Sequence, residues 1–272
     1  MKFTVVGANG FIGSELCNFL EKKGTSVDRV TRETPLSSKS YLGVVVYCAG
    51  YGDCTTNPSE VLDSNTNLLK DIINHNTYER LIYISSTRVY LGSEVSDEAS
   101  DLQILHSDER KLFNLTKLCA EDLCFKSAKD NVVLRVSNVY GNAIKSPLFL
   151  PSIIRDSVNK GVVNMYITPN YSKDYIFVGD LVKAIYEISI KKNLKYNLYN
   201  IASGRNTKAS DIAEVIQSNT KSIINWHDVN TEDTFPPTKI DRIESEMNWK
   251  PRNVLDDITE MINSFSKAKF NG

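Results

Sequence analysis

The chain has 272 residues, with 32 Lys+Arg against 33 Asp+Glu for a net charge of -1, and 41% of its residues are hydrophobic. That length buries a large core, as one extended α/β domain or as a main domain with a small lobe. The even charge balance excludes a global basic field for nucleic acid, and no polybasic run marks a membrane partner.

From the N-terminus, KFTVVGA is a β-branched strand ending in glycine, and FIGSELCNFLEKKG has a helical pattern. The apolar core of a signal peptide is not seen before that strand, and no later run approaches a membrane span, so a cytoplasmic protein is expected. SVDRVT and GVVVYCAG follow as strands, then a helix through SEVLDSNTNLLKDIINH. LIYISS is a buried strand, DERKLFNLTKLCAEDLCFKS a helix, and NVVLRVSNVYG a strand with an exit loop. Buried strands alternating with helices predict an α/β fold with a doubly wound parallel sheet of the Rossmann type.

After Gly141 the texture changes. SPLFLPSIIRDSVNKG and GDLVKAIYEISIKK are helical, VVNMYIT and DYIFV are strands, and the remainder mixes short elements with Pro236, Pro237 and Pro251. This predicts a smaller C-terminal substrate-binding lobe over the carboxyl edge of the strands, where open α/β sheets bind ligands. The expected division gives 1–143 and 174–201 to a dinucleotide-binding domain, and 144–173 and 202–272 to the lobe. The five cysteines are odd in number and lack a Cys-x-x-Cys spacing, so buried free thiols are expected rather than disulfides, and no metal site.

VVGANGFIGSEL sets Gly7, Gly10 and Gly13 between the first strand and the first helix. Gly7 permits the tight turn, Gly10 lets backbone approach a diphosphate, and Gly13 packs helix on strand. The helix N-terminus then offers N–H groups and a positive dipole end to the phosphates. Dinucleotide proteins choose their cofactor at the end of the second strand, by a carboxylate on the ribose or an arginine on a 2′-phosphate. Here Thr31 stands where the carboxylate would sit and Arg32 follows, so NADP is expected over NAD.

The Gly-x-x-Gly-x-x-Gly spacing resembles that of the extended short-chain dehydrogenase/reductases. More narrowly, the chain is similar to the NAD(P)-dependent epimerase/dehydratase family acting on nucleotide sugars, along nearly its whole length. GANGFIG resembles the cofactor turn, which implicates Asn9, Phe11 and Ile12 beside the glycines. VVVYCAGYGD resembles the strand whose end (Cys48, Ala49, Gly50) borders the nicotinamide ribose. Asn65 stands at the family's structural asparagine. YISSTRVY resembles the active-site strand, with Ser85 toward the cofactor, Ser86 in the catalytic Ser/Thr position and Thr87 toward the substrate. LRVSNVYG places Asn138 near the substrate diphosphate. KDYIFVGDLVKAI resembles an Arg-Asp-Phe-Ile-His-Val-Asp-Asp segment, and MNWKP a Leu-Gly-Trp-x-Pro. The resemblance also implies a homodimer through helices around Ser59–His75 and Asp108–Lys129, where Leu118, Leu123 and Phe125 face either a partner or the monomer's own sheet.

In LFNLTK the family's Tyr-x-x-x-Lys becomes Phe113 followed by Lys117. A hydride arriving at a carbonyl builds negative charge on oxygen, and a hydroxyl must deliver a proton there, its pKa lowered from ~10 by a neighbouring ammonium. Lys117 and Ser86 are in place for that chemistry; the hydroxyl is not. The pattern fits a deliberate Tyr→Phe change or a natural lineage that lost its acid, and the intact surroundings favour the first. His106 is a candidate replacement acid. Lys173, Phe177 and Gly179 stand where the family has Arg, His and Asp, and Lys173 meets a phosphate without arginine's fork. The stretch after Arg32 is too short for a further helix-strand-helix, so a third strand is expected to be missing.

Thr87 and Arg88 replace the Asp and Glu that dehydratases of this kind use, so water elimination has no acid/base pair. The resemblance and the NADP choice together imply an NADPH-dependent reductase of a 4-keto (deoxy) nucleotide sugar for a surface polysaccharide, impaired by Phe113. A nucleotide-sugar 4-epimerase and a catalytically silent NADP-binding protein stand as the alternatives.

Overall fold

Six strands form the main sheet: β1 (Lys2–Val6), β2 (Ser26–Val30), β3 (Val44–Tyr47), β4 (Arg80–Ser86), β5 (Asn131–Val136) and β9 (Leu198–Ile201). Their order is β2-β1-β3-β4-β5-β9, and every pairing is parallel. The computed structural model describes residues 1–36, 41–227 and 235–270. VVVY in β3 and NVVLRV in β5 are buried at every position, as a sheet covered on both faces requires. Successive side chains leave opposite faces. Val44 and Val46 join a core with Leu16, Leu20, Leu181 and Ile185, from α1 (Phe11–Lys22) and α6 (Val178–Ile190). Val45 and Tyr47 join another with Leu69, Ile72 and Ala120, from α3 (Leu68–His75) and α4 (Lys111–Lys126). The fold is the doubly wound Rossmann sheet expected from the strand pattern.

The helix expected over residues 59–75 is broken. α2 (Pro58–Leu62) runs into a π-helical segment, Asp63–Asn67, before α3 begins, and Asn65 and Thr66 are the buried residues of that segment. β2 is the edge of the sheet: residues 31–36 and 41–43 carry no strand, only an isolated bridge from Tyr41 to Thr77, and residues 37–40 lie outside the described residues.

The chain leaves the main sheet after β5. β6 (Asn138–Tyr140), β8 (Ser172–Phe177) and β10 (Asn206–Lys208) form a three-stranded sheet, and β7 (Val162–Met165) pairs with β11 (Ile223–Trp226). α5 (Phe149–Lys160), α7 (Ala209–Thr220) and α9 (Val254–Phe270) pack there around Ile154, Met165, Ile216 and Met261. α8 (Asp241–Glu246) returns to the main core, where Ile243 is fully buried. Asp174 ties the units together: it is buried and accepts hydrogen bonds from the backbone N–H of Ser203 (2.8 Å) and Arg205 (3.1 Å). Trp249 adds a bond from its indole N–H to the carbonyl of Ala202 (3.0 Å). The five cysteines are free; Cys17 and Cys124 are buried, Cys48 and Cys54 half-buried, and Cys119 is exposed, against the expectation of burial. Among the described residues no helix is long and apolar enough to cross a membrane.

Candidate active site

Gly7 leaves β1 at φ +83°, and a Cβ there would meet the backbone N of Ala49 at 2.6 Å. The turn is glycine because it packs on the exit of β3. A Cβ on Gly13 would meet the Gly7 carbonyl oxygen at 2.2 Å, so α1 is held against the strand by backbone contact. Gly10 is the N-cap of α1, and a Cβ there would have that same oxygen as its near neighbour among the described residues, at 3.3 Å. The first turn of α1 has neither a side-chain cap nor an acidic residue, which leaves its N–H groups for an anion.

These glycines open a groove along the carboxyl end of the sheet. Its first part, about 410 Å³, is lined by Gly7, Asn9 and Gly10, by Thr31, Arg32 and Glu33, by Cys48, Ala49 and Gly50, and by Ser64 and Leu68. The middle, about 560 Å³, adds Phe11 and Ile12, with Arg110, Asn138 and Lys173. The inner end, about 190 Å³, is lined by Ser86, Thr87, Arg88, Arg110, Phe113, Asn138, Lys173 and Asp174. Shared lining residues make the three parts continuous. A nucleotide diphosphate fits such a groove: uncapped amides at one end, backbone without side chains beside them, cations further in. Among the described residues no cluster of His, Cys, Asp and Glu could hold a metal.

Ser86 ends β4, and its hydroxyl oxygen accepts from the backbone N–H of Arg88 (3.1 Å), capping the 3₁₀ turn Thr87–Tyr90. The cap occupies a lone pair and leaves the Ser86 proton for a ligand oxygen. Lys117 is buried, donates to the carbonyl of Ile84 (2.9 Å), and lies 4.8 Å from the Tyr83 ring centroid. It faces Gly50: a Cβ there would be 3.5 Å from the ammonium. Burial pulls its pKa down to about 8, opposed by the nearby carboxylate of Glu121. Phe113 lies one turn earlier, with the Arg110 guanidinium 5.0 Å from its ring centroid. Asn65 fastens this corner, donating to Tyr51 O and Thr116 Oγ1 (both 3.1 Å) and accepting from the Tyr51 N–H (3.2 Å). Cys48 borders the groove as an unreactive thiol, since burial raises its pKa to about 12.

Ser85, expected at the cofactor, lines none of these three parts; its hydroxyl donates to Glu121 beneath the strand. Glu121 pairs with Arg135 (2.6 Å), which donates to the Tyr90 hydroxyl (2.9 Å), which donates to Asn200 (2.8 Å). Glu121 lies outside every motif of the sequence, and Arg135, the arginine of LRVSNVYG, carries no expected role there. The signal that could have found the pair is a glutamate one turn after Lys117 and an arginine in the apolar run of β5.

At the substrate end, Arg88 is paired with Asp108 (2.6 Å), which also accepts from the Arg110 N–H and the Asn114 amide (both 2.9 Å). Asn138 donates to the carbonyl of Asp174 (2.8 Å). Lys173 lies 5.0 Å from the ring centroids of both Tyr171 and Phe235. Phe177 packs on Tyr140 and under Arg252, and a Cβ on Gly179 would meet its ring at 2.4 Å, so the two departures from the family segment go together. His106 lies in an exposed loop and lines none of the groove. Arg32, at the mouth, pairs with Glu60 of α2, which also accepts from the Ser64 hydroxyl (2.8 Å).

Residues 3–202 match the model of the NAD dependent epimerase/dehydratase family. The chain is 24% identical to a dTDP-D-glucose 4,6-dehydratase of Dictyostelium discoideum over 217 residues, 73% of this chain and 50% of that protein, so it spans about half the relative's length. It is 28% identical to the CDP-abequose synthase of Salmonella typhimurium over 242 residues, 79% of each chain. Its fold is similar to a tyrosine-to-phenylalanine mutant of the UDP-glucuronic acid 4-epimerase of Bacillus cereus, solved with UDP-4-deoxy-4-fluoro-glucuronic acid and NAD. The TM-score is 0.82 at 18% identity, covering 98% of this chain and 100% of that one.

Proposed function

The chain belongs to the NAD dependent epimerase/dehydratase family, and on that premise we propose that it is an NADPH-dependent reductase of a 4-keto deoxy nucleotide sugar, serving surface-polysaccharide synthesis in the cytoplasm. The observation that carries this reading is the composition of the inner groove. Ser86 lines it at the end of β4 and Phe113 on the first turn of α4, with Lys117 buried one turn further on and facing Gly50, while positions 87 and 88 hold threonine and an arginine bound to Asp108. Among the described residues, the carboxylate that lines the inner part, Asp174, has its oxygens engaged by Ser203 and Arg205. Elimination of water lacks its acid/base pair, whereas reduction of a carbonyl needs only a hydride and one proton donor, the group that Phe113 lacks. Likeness to a CDP-abequose synthase, named for a CDP-linked sugar, supports a nucleotide-sugar substrate.

In this reading the first-turn N–H groups of α1, with Gly7, Asn9 and Gly10, hold the cofactor diphosphate, and Arg32 meets its 2′-phosphate. Lys117, facing Gly50, binds the nicotinamide ribose. When bound, the reduced cofactor would supply a hydride to the keto carbon, and the proton for the resulting alkoxide would have to come from water in the absence of a hydroxyl at position 113. Ser86 hydrogen-bonds the keto oxygen; Thr87, Asn138 and Lys173 hold the sugar and its diphosphate. Phe113 has no proton to give, so the chain binds both partners and turns over slowly. Residues 1–143 and 174–201 act as the cofactor unit and the rest as the substrate lobe.

A homodimer is part of the proposal. α2 and α4 pack together and leave Leu62 and Leu115 exposed on their outer faces. Sedimentation showing monomer alone at micromolar concentration counts against it.

The test is loss of reduced-nicotinamide absorbance with a panel of 4-keto-6-deoxy nucleotide sugars, on this chain and on Phe113→Tyr. Turnover by the tyrosine variant of one panel member supports the reductase. If both bind NADPH and neither turns over, that reading fails. Nicotinamide that copurifies stoichiometrically favours the 4-epimerase.

A further inference from the structure

We propose that Glu60 tunes the choice between NADP and NAD by holding the guanidinium of Arg32. The inference rests on the dinucleotide reading above and adds a residue that no motif marks. Arg32 follows the edge strand β2, and its side chain is 75% exposed; Glu60, on α2, is 27% exposed. The two meet across 28 residues of sequence and form an ion pair. Glu60 also accepts from the Ser64 hydroxyl of the π-helical segment, four residues on, at 2.8 Å. Arg32 and Ser64 line the same part of the groove as the glycine turn, so the pair lies at the end expected to take the adenosine. Glu33 lines that part too, its carboxylate accepting from the Thr31 hydroxyl at 2.7 Å.

The mouth therefore presents one guanidinium, already held by the Glu60 carboxylate, with the Glu33 carboxylate beside it. A 2′-phosphate, carrying close to two negative charges, must draw Arg32 away from Glu60 before the guanidinium can bind it. A ribose diol meets no such conflict, because its hydroxyls donate to carboxylate oxygens. The arginine that favours NADP is thus opposed by its own counterion. Glu60→Gln keeps the shape, and keeps an oxygen for the Ser64 hydroxyl, while removing one opposing charge. Among the described residues no third strand covers this edge, so the exposed Arg32 side chain has room to swing between carboxylate and phosphate.

Calorimetric titration of NADP⁺ and NAD⁺ into the full chain tests the assignment, on the parent, Glu60→Gln, Arg32→Gln and the double variant. Expected is NADP⁺ binding about fivefold tighter in Glu60→Gln, a size set by exposed ion pairs, with NAD⁺ changed by less than about twofold. In the Arg32→Gln background the gain should vanish, as coupled neighbours require. Equal effects on both dinucleotides, no effect on either, or a gain that survives without Arg32 overturns it. Circular-dichroism melts of each variant confirm that folding is kept. If the parent binds neither dinucleotide at millimolar concentration, the dinucleotide reading itself falls and this inference with it; a failure confined to the ratio leaves that reading standing.

Discussion

The ammonium of Lys117 stands 5.7 Å from the centroid of the Phe113 ring, one turn away on α4. A hydroxyl on that ring would lie in the field of a buried cation, which lowers a phenol's pKa from ~10 toward the working range. Phe113 keeps the ring and removes the proton. Phe113→Tyr is therefore expected to raise kcat by about 10²- to 10⁴-fold and to leave KM within a few-fold, because the packing of the ring is retained. Steady-state kinetics on the responding sugar separates the two parameters. A change confined to KM would make position 113 a binding residue and remove the proton-transfer argument.

Lys117 itself sets function against stability. Burial holds its folded pKa near 8, below the ~10.4 of an unfolded lysine. Below pH 8 the group is charged in both states, and the folded state bears the full cost of burying the charge. Between about pH 8 and 10.4 the unfolded chain binds more protons, so stability rises with pH and the cost fades. Lys117→Met removes the charge at similar volume and forfeits one hydrogen bond. It is expected to be more stable than the parent by roughly 1–3 kcal/mol at pH 7, with the difference shrinking by pH 10, while dinucleotide binding is lost. Urea unfolding at the two pH values measures this. A methionine variant less stable than the parent at pH 7 would show that the bond to Ile84 and the field of Glu121 outweigh burial.

The pair Glu121–Arg135 makes the opposite case. Its side chains are 3% and 5% exposed, and Glu121 also receives Ser85. Removing one partner strands the other charge out of water. Arg135→Met should cost about 3–5 kcal/mol, and Glu121→Leu with Arg135→Met should recover much of it, since a buried pair is often replaceable by apolar side chains. Unfolding of the single and double variants in urea gives the comparison. A double variant no better than the single would assign the stability to the bonds with Ser85 and Tyr90 instead.

Much of this was legible in the chain. The β-branched runs marked the buried strands, the glycines marked the turn, and the short stretch after Arg32 agrees with the lack of a strand there among the described residues. Local patterns could not show what depends on distant partners. The π-helical segment at Asp63–Asn67 shifts the backbone pairing without changing the apolar spacing, so nothing in the spacing reveals the break in the expected single helix. Ser85 and Ser86 are adjacent, but alternation along β4 sends one hydroxyl to Glu121 and the other to the groove. Arg32 reads as a phosphate ligand until Glu60, far off in sequence, is seen to hold it. Phe177 and Gly179 look like separate losses until the ring is found filling the space a Cβ would need.

The glycine turn separates two failures that a motif treats as one. A Cβ at Gly13 would stand 2.2 Å from the carbonyl oxygen of Gly7 and 2.9 Å from its carbon. Both are backbone atoms, and Gly7 is itself wedged against Ala49, so α1 must move. Gly13→Ala is expected to cost about 1–3 kcal/mol, as overpacking does, and more if the turn cannot yield. A Cβ at Gly10 would meet that oxygen at 3.3 Å and otherwise face the groove, so Gly10→Ala should fold with a penalty under about 1 kcal/mol. Its methyl would lie where a diphosphate approaches the helix N-terminus. Dinucleotide affinity should fall by about tenfold or more, since every amide held away from the phosphate forgoes a charge-assisted hydrogen bond. Urea unfolding and NADP⁺ calorimetry on both variants distinguish the roles. If Gly10→Ala folds and binds NADP⁺ as tightly as the parent, the diphosphate does not lie on α1, and the groove would have to be entered from its inner, cationic end.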